Sequence, residues 1–205
     1  MIKKLSDNIS DHIMNNKFKY LALIASLFGG LVFGIILCLK GNVSENYAEN
    51  FISSYKLYGV SSKTVFISSF LSYMRCGLIL WVSGRHIFLT PLVFVQVFSK
   101  AFGLGYTISY FVSVLGFNGV LLSFSSMFLQ NIIFIPLMLI YSVWRINFAL
   151  KYRESKSSPA SFKQKERLNL EDFKIFMLFF ALILACVLIE AYIIPSLYNP
   201  ICTKF

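Results

Sequence analysis

Long apolar runs alternate with shorter polar segments along the chain, and this pattern predicts an all-α membrane protein with five transmembrane helices. The predicted spans cover about residues 20–39, 64–84, 87–114, 120–144 and 173–194. Each run is long enough to cross a hydrocarbon core of about 30 Å as a helix that rises 1.5 Å per residue. The runs follow one another without a separate polar domain, so the 205 residues are predicted to form a single membrane domain.

Two longer polar segments separate these spans. In residues 40–63, aromatic residues recur three or four positions apart, which predicts an amphipathic helix on the outer membrane surface. Its simplest role is to anchor the segment in the lipid headgroups. The alternative is a docking face for a partner, formed by Tyr47, Phe51 and Tyr55. Residues 145–172 are rich in Lys and Arg, and we expect a basic cytoplasmic loop that meets anionic lipids.

Composition agrees with a membrane protein. Hydrophobic residues make up 57% of the chain, whereas 45–50% is usual in soluble domains. The net charge of +10 would favour nucleic acid as the partner of a soluble protein. Beside membrane helices, however, basic residues set topology and meet anionic headgroups. The sequence therefore predicts no nucleic-acid partner.

The distribution of basic residues predicts the orientation of the chain. Of the 19 Lys and Arg, thirteen lie on the side of the N-terminus, four lie on the opposite side, and Arg75 and Lys100 lie within spans. Segments that carry more Lys and Arg stay in the cytoplasm. We therefore expect a cytoplasmic N-terminus and an external C-terminus.

Three ionisable residues, Arg75, Lys100 and Glu190, interrupt the apolar runs. A charge at the centre of a membrane helix costs about 2.5–3.5 kcal/mol on insertion scales, so each is expected to face protein or water. Counted from the cytoplasmic side at 1.5 Å per residue, Lys100 lies at roughly 20 Å, Glu190 at roughly 26 Å and Arg75 at roughly 14 Å. This predicts a Lys100–Glu190 contact. Gln130 and Asn131 complete the predicted polar cluster.

The polar cluster has two interpretations. It is either a buried lock that fixes the packing of the helices, or a proton or ion relay in a small transporter or channel. The sequence contains no H-E-x-x-H, G-x-S-x-G or phosphate-binding glycine loop, and its cysteines have no metal-ligand spacing. We therefore expect no catalytic residues, metal or cofactor.

Small residues and prolines predict local features of the spans. Ser26, Gly30 and Gly34 are four positions apart, a spacing that lets two membrane helices approach closely. Pro136 lies inside the fourth predicted span and Pro195 follows the fifth. Since proline removes a backbone donor and crowds the preceding turn, both are predicted to break their helices.

Several short motifs follow one another along the chain. They are Leu80-Trp81 with Gly84 and Pro91, Ser99-Lys100-Ala101 with Gly103, Gly105 and Tyr106, Gly116-Phe117-Asn118-Gly119, Gln130-Asn131, Ile135-Pro136, and Glu190-Ala191-Tyr192-Ile193-Ile194-Pro195. In this order they resemble the stage II sporulation protein M family, from about Lys17 to Pro195.

This resemblance implies a role in the engulfment machinery of endospore-forming bacteria. It implies a non-enzymatic scaffold in the septal membrane of the mother cell, which recruits or anchors two membrane-tethered peptidoglycan-degrading proteins, stage II sporulation proteins D and P. The residues alone leave open a small transporter or channel that uses Lys100 and Glu190. They also leave open whether the chain forms a homo-oligomer.

Overall fold

The computed structural model describes residues 14–41, 62–123, 129–156 and 161–202. These residues form six α-helices and one short 3-10 helix. The α-helices are α1 (Lys17–Lys40), α2 (Ser62–Ser83), α3 (Pro91–Leu115), α4 (Phe117–Ser123), α5 (Leu129–Lys156) and α6 (Ser161–Cys202), and the 3-10 helix Ile87–Leu89 precedes α3.

The prediction of five transmembrane helices is confirmed. All the helices above except α4 are long and apolar enough to cross a membrane. The first three spans are Lys17–Lys40, Ser62–Ser83 and Ile87–Val114. Pro91 opens α3, a position where its missing N–H costs no helical hydrogen bond.

The fourth span begins later than predicted, because the chain folds back on itself after α3. Gly116 has a φ of 57°, a conformation that favours glycine and ends α3. The short helix α4 then returns along α3, and a Cβ at Gly119 would overlap the carbonyl group of Phe111. Residues 120–123, which were predicted to start the span, therefore belong to α4, and the span itself is Asn131–Glu154.

The prediction that residues 145–172 form a loop is wrong. Helix α5 continues to Lys156 and α6 begins at Ser161, so nearly all of that segment is helical. The predicted helix breaks are also wrong, since α5 runs through Pro136 and α6 runs through Pro195. Membrane helices tolerate proline when neighbouring groups satisfy the freed carbonyl.

Helices α1 and α3 lie parallel and form the most extensive helix pair of the bundle. The Ser26 hydroxyl donates a hydrogen bond of 3.0 Å to the Phe94 carbonyl. One and two turns further along, Gly30 and Gly34 lie so close to α3 that a Cβ would overlap its backbone carbonyls. The row of small residues Ser26, Gly30 and Gly34 is therefore the surface along which the two backbones meet.

Helix α5 forms the centre of the bundle. Half of its span is buried, whereas 17–28% of each other span is. Phe134, Met138 and Tyr141 of α5 pack with buried residues of α2, α3 and α6. Helices α2 and α6 lie beside α5 and are antiparallel to each other, with Gly77 of α2 facing Phe179 of α6. Glu190 and the Arg145–Asp172 pair, described below, lie at these contacts of α5, α2 and α6.

Candidate functional site

Glu190 is buried near the end of the α6 span and is held by two side chains of α2. Its carboxylate accepts a hydrogen bond from the Ser69 hydroxyl and another, at 3.0 Å, from the Tyr73 hydroxyl. Only 6% of Glu190 is exposed. Hydrogen bonds to a carboxylate are stronger than those between neutral groups, so these contacts join α6 firmly to α2.

Lys100 of α3 lies over two aromatic rings. Its ammonium nitrogen is 5.1 Å from the ring centroid of Tyr73 and 5.3 Å from that of Phe134. The two rings stack on each other with centroids 4.3 Å apart. Both distances are within the range of a cation–π interaction, which strengthens when the cation is removed from water. Lys100 therefore joins α3 to α2 and α5.

The predicted direct contact between Lys100 and Glu190 is wrong. In the part of the chain that the structure describes, the two residues form no ion pair. Tyr73 links them instead, because its ring carries the ammonium group and its hydroxyl binds the carboxylate. The two charged groups and Tyr73 thus form one network across α3, α2 and α6.

The remaining predicted site residues are Asn131, Gln130, Arg75 and the three docking candidates. Asn131 is buried on α5, with 6% of its surface exposed. Gln130 precedes it on the same helix, but its side chain lies outside the described part of the structure. Arg75 is exposed on the outer face of α2 and does not join the cluster. The docking candidates Tyr47, Phe51 and Tyr55 also lie outside the described residues.

A second polar centre, absent from the predicted site, joins Arg145 of α5 to Asp172 of α6. The pair is completely buried, with side-chain exposures of 0% and 1%. The Arg145 Nε donates a hydrogen bond of 3.2 Å to the Leu80 carbonyl, and Nη2 donates one to the Trp81 carbonyl. These carbonyls lie in the last turn of α2, where the negative end of the helix dipole attracts cations. Arg145 therefore joins three helices.

Aromatic rings and one glycine enclose the Arg145 guanidinium. Its carbon atom lies 6.0, 5.5 and 5.0 Å from the ring centroids of Tyr141, Trp144 and Phe148. A Cβ at Gly84 would overlap the guanidinium group. Gly84 therefore provides the space in which Arg145 reaches the end of α2.

The spacing of these aromatic residues could have revealed the centre. Tyr141, Trp144, Phe148 and Tyr152 recur at three or four positions, which is the periodicity of one helix face. This face continues past Arg145, whereas the charge pattern suggested that the helix ends there. Arg145 therefore belongs to the buried face of α5 rather than to a loop.

A model of the family described as Stage II sporulation protein M matches residues 21–195. The chain belongs to the stage II sporulation protein M family. It is accordingly a sporulation-related membrane protein. No curated protein and no solved structure matches it. The matched region includes both polar centres of this family member.

A third polar contact in this stage II sporulation protein M family member joins α1 to α5. The Lys19 ammonium donates hydrogen bonds to the side-chain oxygens of Asn147 and, at 3.2 Å, of Asn16. Asn147 in turn donates a hydrogen bond of 3.0 Å to Asn16. Together with the two centres above, this contact ties each of the five membrane-spanning helices to another by a polar side chain.

The contacts of these groups join helices. Arg145, Asp172 and Glu190 are buried and bound by protein groups, and Lys100 is held by two rings. Among the described residues, no group of three or more His, Cys, Asp or Glu is placed to hold a metal ion. The printed contacts thus link the helices of this stage II sporulation protein M family member.

Tyr73→Phe is expected to lower the free energy of unfolding by about 1–2 kcal/mol, since it removes a hydrogen bond to a buried carboxylate. It leaves the ring beneath Lys100 in place. The matched control is Tyr141→Phe, because Tyr141 is also buried and stacked, but its hydroxyl has no hydrogen-bond partner among the described residues. The control should be neutral or stabilising. Equal losses in detergent-solubilised protein would contradict the role of the Tyr73 hydroxyl.

Proposed function

We propose that this protein is a non-enzymatic membrane scaffold of endospore formation, which holds peptidoglycan-degrading engulfment proteins at the septal membrane of the mother cell. The proposed partners are stage II sporulation proteins D and P. Membership of the stage II sporulation protein M family supports a role in sporulation. The scaffold role draws its support from the way in which the charged side chains are used.

One observation carries the proposal: the charged groups inside the described bundle are used to join helices. Arg145 binds Asp172 and the end of α2, Glu190 binds α2, and Lys100 lies against α2 and α5. Groups fixed in this way give a bundle of defined shape, because each helix has a set rotation relative to its neighbours. A rigid bundle is what a docking platform requires.

The proposed orientation places the N-terminus in the cytoplasm. Helix α6 has 42 residues and would extend about 63 Å, roughly twice the thickness of a hydrocarbon core. Its first turns and the last turns of α5 would then project beyond the membrane. They carry exposed basic residues, among them Lys151, Arg153 and Arg167, which suit anionic headgroups.

The proposal is tested by following fluorescently tagged proteins D and P in sporulating cells. Deletion of the scaffold is expected to disperse both from the septum, and the wild-type chain is expected to restore them. Septal localisation that persists in the deleted strain would contradict the proposal.

A triple alanine variant of Tyr47, Phe51 and Tyr55 tests the outer segment as the docking face. If these aromatic residues anchor a partner, their loss should weaken the complex at least about 30-fold, which corresponds to about 2 kcal/mol. The level of the scaffold in the membrane should stay unchanged. The control is a triple alanine variant of Glu45, Glu49 and Lys56, which the spacing predicts to lie off the aromatic face. Recruitment that survives the aromatic variant would exclude this face.

The second candidate is a small transporter or channel. It is favoured by the Lys100–Tyr73–Glu190 network, which joins two charged groups inside the membrane-spanning bundle. Its test is ion or proton flux in reconstituted vesicles. Flux that disappears in Glu190→Gln would support transport, and vesicles that remain impermeable would exclude it.

A further inference from the structure

Arg75 is a charged residue on the outer surface of the bundle, near the middle of a membrane helix. It lies about 4 Å from the midpoint of α2 at 1.5 Å per residue. Its side chain is exposed, and it makes no hydrogen bond, ion pair or ring contact with any of the described residues. Arg75 therefore takes no part in holding the bundle together.

The face of α2 around Arg75 is otherwise apolar or small. Its exposed members are Ile67, Ser68, Leu71, Ser72, Leu78, Ile79 and Val82. The Ser68 hydroxyl donates within its own helix, to the Thr64 carbonyl at 2.9 Å, so it presents little polarity outward. Ser68 and Ser72 are one turn apart and let a neighbouring helix approach closely. The opposite face of α2 packs against α6 and α5.

Lipid alone is a poor environment for this guanidinium. Arg75 lies about 12 Å from the nearer end of α2 and about 20 Å from the other end, at 1.5 Å per residue. An arginine side chain is shorter than either distance, so it does not reach the headgroups by following the helix. Charged residues at such a depth are normally paired.

Among the described residues, a second copy of this chain offers Arg75 no free carboxylate at a matching depth. Among the described acidic residues, Asp172 and Glu190 are buried and bound within the bundle. Glu154, Glu166 and Glu171 are exposed, but they lie at or near the ends of their spans. We therefore take a different protein as the source of the carboxylate.

We propose that the outer face of α2 binds the transmembrane helix of a membrane-tethered partner, and that an Asp or Glu near the middle of that helix pairs with Arg75. The inference rests on the proposed scaffold function and names the surface and the partner chemistry that it uses. The small residues Ser68 and Ser72 bring the backbones together, and the ion pair sets the depth and rotation of the partner helix.

The test is photo-crosslinking in sporulating cells that express the full chain. A benzophenone amino acid replaces Leu71 or Ile79, which flank Arg75 by one turn on the exposed face. The depth-matched control replaces Phe28, which is exposed at the middle of α1. We expect an adduct with one single-pass membrane protein from the α2 positions and none from Phe28. The crosslinked protein, identified by mass spectrometry, should carry an acidic residue inside its apolar span.

Arg75→Leu should reduce the adduct at least roughly 30-fold, because it leaves the partner carboxylate unpaired. Arg75→Lys should retain a substantial part of it. Arg75→Glu combined with replacement of the partner's acidic residue by Arg should restore the adduct. The stability of the isolated chain should not fall in Arg75→Leu, since Arg75 makes no hydrogen bond, ion pair or ring contact with the described residues.

Three results would overturn the inference. The first is an adduct with a second copy of this chain. The second is an adduct that Arg75→Leu does not change. The third is the absence of any adduct from the α2 positions, which would mean that Arg75 faces lipid. Failure of the proposed function would look different. In that case the hydrolases would stay at the septum when the whole chain is deleted. Hydrolases that depend on the chain but not on Arg75 would contradict only the α2 surface.

Discussion

Asp172→Asn is expected to destabilise the protein by about 3–5 kcal/mol, because it leaves a buried arginine without its counter-charge. Arg145 is completely buried and Asp172 is its carboxylate partner. The Arg145 side chain is 0% exposed, and its guanidinium lies against aromatic rings and Gly84. The two α2 carbonyls that it also binds carry only partial charges, so they do not replace the lost carboxylate. The measurement is unfolding of the purified protein in detergent, by heat or by added SDS.

The adjacent residue supplies the control. Glu171 forms an ion pair with Arg167 one turn away, but the two side chains are 54% and 84% exposed. Exposed pairs of this kind contribute about 0–1 kcal/mol, so Glu171→Gln should have little effect. Arg145→Met combined with Asp172→Leu should be milder than either single change, because it removes both buried charges. Similar losses in Asp172→Asn and Glu171→Gln would show that the buried pair is not a structural centre.

The apolar runs predicted the five spans because the membrane imposes their length. A segment that crosses the hydrocarbon core must satisfy its backbone internally, and this makes a long apolar run a helix. The ends of α5 and α6 were harder to predict, since the membrane does not determine where a helix stops once it has left the lipid. The basic residues after Trp144 indicated a loop, whereas the helix continues to Lys156.

The polar contacts were predicted only in part, because depth does not fix rotation about a helix axis. Counting residues placed Lys100 and Glu190 at similar levels, and both belong to one network. Which way each side chain points depends on the packing of α2, and the intervening position of Tyr73 could not be derived from spacing. The same reason explains Arg75, whose depth was predicted but whose outward orientation was not.

Gly105→Leu is expected to separate α1 from α3 and to destabilise the bundle by about 1–3 kcal/mol or more, as overpacking of a close contact does. Gly105 is buried on α3, and even a Cβ there would overlap the carbonyl of Leu31. Gly30 and Gly34 of α1 meet carbonyls of α3 in the same way, so there is no room for a side chain between the two helices along two turns. The helices must move apart to admit any side chain.

Gly103→Leu is the matched control, two residues away on the same helix. Gly103 is exposed, and a Cβ there would meet nothing within 4 Å. The change should alter stability by no more than about 0.5 kcal/mol, or increase it slightly through better helix propensity. A second comparison separates backbone from side-chain crowding. The atom that obstructs Gly105 is a carbonyl oxygen, so Leu31→Ala should not rescue Gly105→Leu. Rescue by Leu31→Ala, or equal stability of the two glycine variants, would mean that side chains rather than backbones set the α1–α3 distance.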